Sequence, residues 1–161
     1  MKIRIAKDSD KKDFIKFAIK LSEFNRNNHS ENSKQDVYEI VQKSIRDKSA
    51  ETFDNRDDNC LIFIVESEGK SIGYALGRIY EEDQSFDNGT GQIGLFDELY
   101  LDKEARGHGL GQKILDEMLQ WFKAKGIRRV KLHAFSWNSK AKELYEKNGF
   151  NEYAVSYEKF I

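Results

Sequence analysis

The chain has no proline, a single cysteine and no long apolar run. Without proline, the ends of helices and strands must be marked by glycine, asparagine and aspartate, so turns are read from those residues alone. The lone thiol, Cys60, excludes an intrachain disulfide and suits a reducing compartment; it opens the apolar run CLIFIVE, where it reads as a buried structural thiol. No window approaches the roughly 20 apolar residues of a membrane span, and the opening MKIRIAKDSD has no apolar signal core. A cytoplasmic location is therefore expected, and a membrane partner is not. An excess of one charge is missing too. With 27 Lys and Arg against 28 Asp and Glu the formal net charge is −1, and like charges form no long block, so the footprint of a nucleic-acid binder is absent.

What is present fits one domain spanning 1–161, since 161 residues with 39% hydrophobic content can build one core but not two comfortable ones. Lys2 to Ala6 alternates Ile3 and Ile5 with charged neighbours and predicts a strand. Asp8 or Ser9 then caps a helix with the stripe Phe14, Phe17, Ala18, Leu21 and Phe24. NRNNHSENS reads as a loop. Ser33 or Asp36 starts a second helix with Val37, Ile40, Val41 and Ile45 on one face, and the composition turns polar between Asp47 and Asn59. CLIFIVES and GKSIGYALGRIYE predict two strands joined at Glu68-Gly69-Lys70, the chemistry of a hairpin turn. After the polar loop EEDQSFDNGTG come a strand in GQIGLFDELYLD, a glycine-rich turn, an amphipathic helix, a strand in RRVKLHAF, a short helix in NSKAKELYEKNG and a last strand in FNEYAVSYEKF. That order predicts a mixed α/β domain.

The turn is RGHGLG, Arg106 to Gly111, followed by the helical spacing of QKILDEMLQWFKAKG. Strand, glycine turn and helix together build an anion site. The first N–H groups of a helix lack intrahelical partners and carry the positive end of its dipole, and glycine lets phosphate oxygens reach them. Arg106 can be aimed at the same phosphate or can brace the loop. A Walker loop is excluded because no Gly-Lys-Ser/Thr is present, and Gly107, Gly109 and Gly111 lack the spacing of the dinucleotide fingerprint.

Arg106-x-x-Gly109-x-Gly111 resembles the pyrophosphate-binding motif of the GCN5-related N-acetyltransferases (GNAT). DELYLDKEARGHGLGQKIL is similar to that family's fourth strand, turn and third helix, and NSKAKELYEKNGF to its last helix. The resemblance implies a mixed, mostly antiparallel central sheet flanked by about four helices and splayed between strands four and five. It also implies acetyl-CoA as co-substrate and no metal. The pyrophosphate is expected on Arg106, Gly107, His108, Gly109, Leu110, Gly111 and Gln112, and the pantetheine arm along the main chain of Leu99, Tyr100 and Leu101 like an added strand. A bulge in that strand is implied as well, freeing an N–H for the thioester oxygen.

By the same resemblance Asn138 contacts the coenzyme, although an asparagine at a helix start also caps it, and Tyr145 is the general acid toward the thiolate. Removal of the amine's proton falls to Glu98 or Asp97, an acidic pair similar to that of the polyamine branch, to His133, or, as in many members of the family, to no dedicated base. In an unbulged strand only one of Asp97 and Glu98 would face the site. Together with the loop acids Glu81, Glu82 and Asp83 they predict an acidic mouth. The expected reaction moves an acetyl group from acetyl-CoA to a primary amine of a small cationic acceptor, such as a polyamine or aminoglycoside, by direct attack in a ternary complex. A protein N-terminal or lysine acetyltransferase and a non-catalytic acyl-CoA sensor are the alternatives. The expected partners are acetyl-CoA and a small-molecule amine, with a homodimer as the candidate assembly.

Overall fold

The computed structural model describes residues 1–31, 34, 37–83 and 91–161. Five strands form one sheet in the order β1 (Lys2–Ile5), β2 (Cys60–Ser67), β3 (Lys70–Glu81), β4 (Gln92–Leu101) and β5 (Val130–Leu132). Neighbours are antiparallel from β1 to β4, and β5 runs parallel to β4. Four α-helices flank it: α1 (Lys11–Asn28), α2 (Tyr38–Asp54), α3 (Leu110–Ala124) and α4 (Ser139–Lys147). The β2–β3 hairpin closes on Glu68 and Gly69, both at positive φ (51° and 75°), the backbone a two-residue turn needs to match the strands' twist.

The apolar run of β2 explains why the sheet is covered on both sides. Leu61, Phe63 and Val65 point into a core built with Leu110, Ile114, Leu115, Met118 and Phe122 at α3, while Ile62 and Ile64 enter a second core with Phe14, Phe17 and Ala18 of α1 and Phe53 of α2. A strand buried on both faces cannot alternate apolar with polar. β3 sorts likewise, with Ala75 and Ile79 toward α3 and Tyr74 and Leu76 toward α1. α4 joins the α3 side through Leu144 and Tyr145.

One irregularity in β4 sets the geometry of the site. Glu98 pairs with Leu76 and Phe96 with Gly77, so Asp97 has no partner on β3: the strand carries a bulge there. Before it, Phe96 faces α3; after it, Leu99 and Leu101 do. The extra residue has shifted the pleat by one position. Pairing with β5 covers Gly94, Leu95 and Phe96 and goes no further, so the edge of β4 from Asp97 to Leu101 has no strand beside it. This is the splay between strands four and five.

Four expectations need correction. α1 continues to Asn28 through the stretch read as a loop, because nothing in NRNN breaks a helix. α2 runs to Asp54 because the stripe Val41, Ile45, Ser49, Phe53 keeps a four-residue step, with small Ser49 buried at 9% exposure; Val37 and Ile40, expected on the buried face, are exposed. The second helix's expected caps, Ser33 and Asp36, lie outside the described residues, as does most of EEDQSFDNGTG. The last strand is not formed. Asn151–Ile161 has no regular structure, and Tyr153, Val155 and Tyr157 are exposed. β5 is only three residues long and offers a short edge to pair with, while Tyr153 instead lies against Arg129 and Lys131, 4.9 and 5.0 Å from their charges.

Gly94 of β4 sits under the ring of Phe122. A Cβ at Gly94 would stand 2.6, 2.7 and 2.9 Å from three of that ring's carbons, and Phe122 is 1% exposed, with no room to swing. Gly94→Ala is expected to destabilise the protein by about 1–3 kcal/mol. Urea unfolding checks this, and an unchanged midpoint would mean that α3 does not pack on β4 as described.

Candidate active site

The glycine turn leads from the end of β4 into α3 and leaves the start of that helix open. β4 ends at Leu101, a 3₁₀ turn covers Lys103–Ala105 with Ala105 buried, and Arg106 to Gly109 lead into α3. Gly107 and Gly109 hold φ of 82° and 74°, and a Cβ on either would meet nothing within 4 Å. Glycine is therefore favoured there by the left-handed backbone, not by internal crowding. The first helical bond is Lys113 N–H to the Gly109 carbonyl at 3.2 Å, and Gly109 supplies no side-chain cap. The N–H groups of Leu110, Gly111 and Gln112 have no partner among the described residues. His108 is exposed at the tip of the turn.

The neighbouring side chains hold this turn still. Arg106 donates its Nε–H to the Leu101 carbonyl at 2.8 Å, and its guanidinium lies 4.5 Å from the Phe24 ring and 5.5 Å from Tyr100. Of its two expected roles, bracing the loop is the one this geometry displays. Gln112 and Asn148 of the α4 C-cap exchange two amide hydrogen bonds, at 2.7 and 2.9 Å, so the Gln112 side chain ties α3 to α4. A Cβ on Gly111 would come 3.4 Å from Leu144 Cδ2, which marks the close approach of those helices.

The bulge places both acids of the pair on the α1–α2 side of the sheet. Asp97 forms an ion pair with Arg78, which follows Tyr74 and Leu76 on the same face of β3. Glu98 accepts a hydrogen bond from the Tyr74 hydroxyl at 2.5 Å. Burial raises the carboxyl pKa of Glu98, and the Tyr74 bond opposes the rise by favouring the charged form. Tyr74 itself is fully buried and its pKa lies well above the ordinary phenol value, so it remains a donor. Two cavities, of about 400 and 610 Å³, meet the side chain of Glu98. The first lies between α1, α2 and Phe135; the second lies under α2 near Arg56, Cys60 and Arg78. Burial pushes the Cys60 thiol up, as suits an unreactive group.

The remaining expected residues are spread around this centre. Leu99 and Leu101 pack against the α3 core, and the Tyr100 ring lies against α1 at Phe17, so only their main chain is presented at the splay. Asn138 caps α4, its side chain accepting the Ala141 N–H at 3.3 Å. Tyr145 is half-buried with its ring 6.1 Å from Phe150; burial raises its pKa, and its hydroxyl has no hydrogen-bond partner among the described residues. His133 follows the end of β5, is exposed, and lines neither cavity at Glu98. The acidic mouth needs correction: Glu82 is ion-paired with Lys131 and with Arg129 at 3.3 Å, and none of Glu81, Glu82 and Asp83 lines those cavities. Among the described residues no group of three or more His, Cys, Asp or Glu could hold a metal ion, and no helix is long and apolar enough to cross a membrane.

Several residues escaped the sequence reading. Tyr74 and Arg78, the partners of the acidic pair, alternate correctly in SIGYALGR, but their partners lie across a strand whose register is unreadable in one dimension. An aromatic cluster joins α1 to the β5–α4 loop: Phe24 and His29 pack edge-on against Trp137 and Phe135, whose rings stack at 5.6 Å. The only available signal was the density of aromatics in HAFSW.

Residues 22–150 match the model of the acetyltransferase (GNAT) family. A thialysine N-epsilon-acetyltransferase of Mus musculus is 27% identical over 152 residues, covering 90% of this chain and 81% of that protein. A mycothiol acetyltransferase of Beutenbergia cavernae is 33% identical over 98 residues, 61% of this chain; the match spans only 31% of that longer protein. Among solved structures, a predicted acetyltransferase from Clostridium acetobutylicum, crystallised with acetyl-CoA, superposes with a TM-score of 0.73 at 18% identity, covering 99% of this chain and 95% of its own. With the glycine turn, the β4 bulge and the splayed sheet all inside the matched residues, the chain belongs to the acetyltransferase (GNAT) family.

Proposed function

We propose that the protein transfers an acetyl group from acetyl-CoA to the primary amine of a small cationic acceptor, by direct attack in a ternary complex. The observation that carries this reading is the junction of β4 and α3. Three N–H groups at a helix start, without a partner among the described residues and reached past two left-handed glycines, lie next to a strand edge left open by the splay. A pyrophosphate with an extended amide-bearing arm has that shape: the anion takes the helix start and the arm adds to the edge of β4. The mouse thialysine acetyltransferase and the Beutenbergia mycothiol acetyltransferase, relatives named for small molecules, support an acceptor that is a small molecule.

When bound, acetyl-CoA supplies an activated thioester. The chain's own groups do the rest. The N–H groups of Leu110, Gly111 and Gln112 hold the phosphates, and Arg106 keeps the turn in place through Leu101. Glu98 draws the ammonium of the acceptor into the cavity and accepts its proton, directly or through a water. Its raised pKa makes it a better match to an amine than an ordinary carboxylate. The free amine nitrogen then bonds to the acyl carbon as the carbon–sulfur bond breaks, the Tyr145 hydroxyl protonates the departing sulfur, and the proton lost by the new amide nitrogen returns to the Tyr145 phenolate through water. Asp97, paired with Arg78, adds negative potential beside Glu98. The reading places the protein in the cytoplasm, where Cys60 stays reduced.

Three experiments examine the parts separately. Gly109→Asp meets no steric obstacle, and aspartate tolerates the left-handed backbone better than most residues. Its carboxylate would stand at the mouth of the anion site, so the Kd for coenzyme A in a calorimetric titration is expected to rise at least about tenfold. Unchanged binding would remove the turn from the site.

Tyr145→Phe keeps the ring against Phe150 and deletes only the hydroxyl. Coenzyme affinity should persist while single-turnover acetyl transfer falls by about 10²–10⁴. A loss of less than a few-fold would make Tyr145 a packing residue.

The third concerns pH. If Glu98 accepts the proton, kcat/KM falls on the acid side as Glu98 protonates, at a pH above the ordinary carboxylate range. Tyr74→Phe removes the bond that lowers the Glu98 pKa, so that limb should move to higher pH; Glu98→Gln should abolish it. An acid limb that stays in place in both variants would exclude Glu98 as the base.

A further inference from the structure

The splay between β4 and β5 has two walls, and the reaction proposed above assigns the coenzyme's arm to only one of them. β5 runs parallel to β4 opposite Gly94, Leu95 and Phe96. Past Leu132 the chain continues as the loop to α4, without pairing to the edge of β4 that stays open from Asp97 to Leu101. An arm that adds to this edge pairs through one of its sides. The polar groups on its other side then face the loop and need partners there, because an amide oxygen taken out of water without one is costly.

Trp137, in that loop, carries such a partner. Its indole N–H is the one buried side-chain nitrogen or oxygen without a hydrogen-bond partner among the described residues. A buried indole N–H ordinarily finds an acceptor, and indole has no acceptor of its own to compensate with. A donor that no protein group meets is available to a bound one. Packing does not account for the ring either, since Trp137 belongs to neither of the hydrophobic clusters that flank the sheet.

The contacts of Trp137 place it across the splay from the end of the open edge. The Leu101 carbonyl accepts a hydrogen bond from Arg106 at 2.8 Å, the Arg106 guanidinium lies 4.5 Å from the Phe24 ring, and Phe24 meets Trp137 edge-on at 5.7 Å. This chain of contacts leads from β4 over α1 to the loop. On the loop itself Phe135 stacks on Trp137, and the next residue, Asn138, caps α4.

We propose that Trp137 positions the amide arm of acetyl-CoA, its indole N–H donating to an amide carbonyl that the arm turns away from β4. This rests on the acetyltransferase reading above and deepens it: β4 holds one side of the arm with main chain, and the loop holds the other with a side chain. Because the N–H is buried, the rings packed around it, Phe24 among them, have to shift for the arm to reach it. Trp137 meets the arm and not the reacting atoms, so it acts through coenzyme affinity and the placement of the thioester.

Trp137→Phe keeps an aromatic ring in the cluster and deletes the donor. In a calorimetric titration the Kd for coenzyme A is expected to rise about five- to tenfold, the worth of one hydrogen bond. 3′-Phospho-ADP, the nucleotide and pyrophosphate of the coenzyme without its arm, should bind the variant and the parent protein equally. A second readout follows the indole directly. In a Trp121→Phe protein Trp137 is the sole tryptophan, and its emission should change as coenzyme A saturates the site and stay constant with 3′-phospho-ADP. An equal Kd for coenzyme A in Trp137→Phe overturns the inference, as does an equal loss for both ligands, which would reduce the part of Trp137 to packing. Emission from Trp137 that coenzyme A leaves unchanged overturns it too. Failure of the parent protein to bind coenzyme A would instead bring down the acetyltransferase reading beneath it.

Discussion

The extra residue at Asp97 is the constraint on which the site depends. A β-strand has a strict two-residue period, so one unpaired residue transfers every later side chain to the other face. In β4 that transfer lets Phe96, Leu99 and Leu101 all pack toward α3, and it turns Asp97 and Glu98 together toward α1 and α2. The ladder with β5 stops immediately before the same residue. A single irregularity therefore separates the sheet into a paired half and an open half, and it sets two carboxylates where the open half begins.

The two acids then take different roles because their neighbours differ. Asp97 meets a guanidinium and is held as an ion pair; Glu98 meets a phenol inside a mostly apolar wall and is pushed toward the neutral form. A carboxylate whose pKa is raised holds a proton more readily than an ordinary one, whereas a carboxylate in an ion pair mainly contributes field. The anion turn is held by different means. Arg106 and the Gln112–Asn148 pair fix its surroundings, and the main chain at the helix start is left unsatisfied. Support comes from side chains, which is why the turn can be glycine-rich without being loose.

The walls of the cavity at Glu98 come largely from α1 and α2, the part of the chain with no recognisable motif. Both helices contribute stripes chosen by helical period, and the sheet contributes Glu98. A scaffold that holds the coenzyme in one way can change its acceptor by altering these two helices alone.

Local pattern was sufficient to identify most of the elements. Alternation in KIRI, the apolar run of β2, the Glu68-Gly69 turn and the amphipathic α3 are all properties of short stretches, and the glycine turn with Asn138 and Tyr145 carried the family resemblance. The ends of elements were less legible, because they depend on what a residue packs against: α2 outlasts its apolar composition as Ser49 and Phe53 continue its buried stripe, and FNEYAVSYEKF alternates like a strand without an edge long enough to pair with. The site required tertiary structure for the same reason. That Asp97 and Glu98 share a face follows from the register of β4 against β3. That Glu98 answers to Tyr74, Asp97 to Arg78 and Arg106 to Leu101 and Phe24 follows from contacts between residues distant in sequence. Sequence determines which groups are available and the local backbone they favour; which of them meet, and hence that burial raises the pKa of Glu98 while Asp97 is held in an ion pair, is decided only when the strands and helices pack.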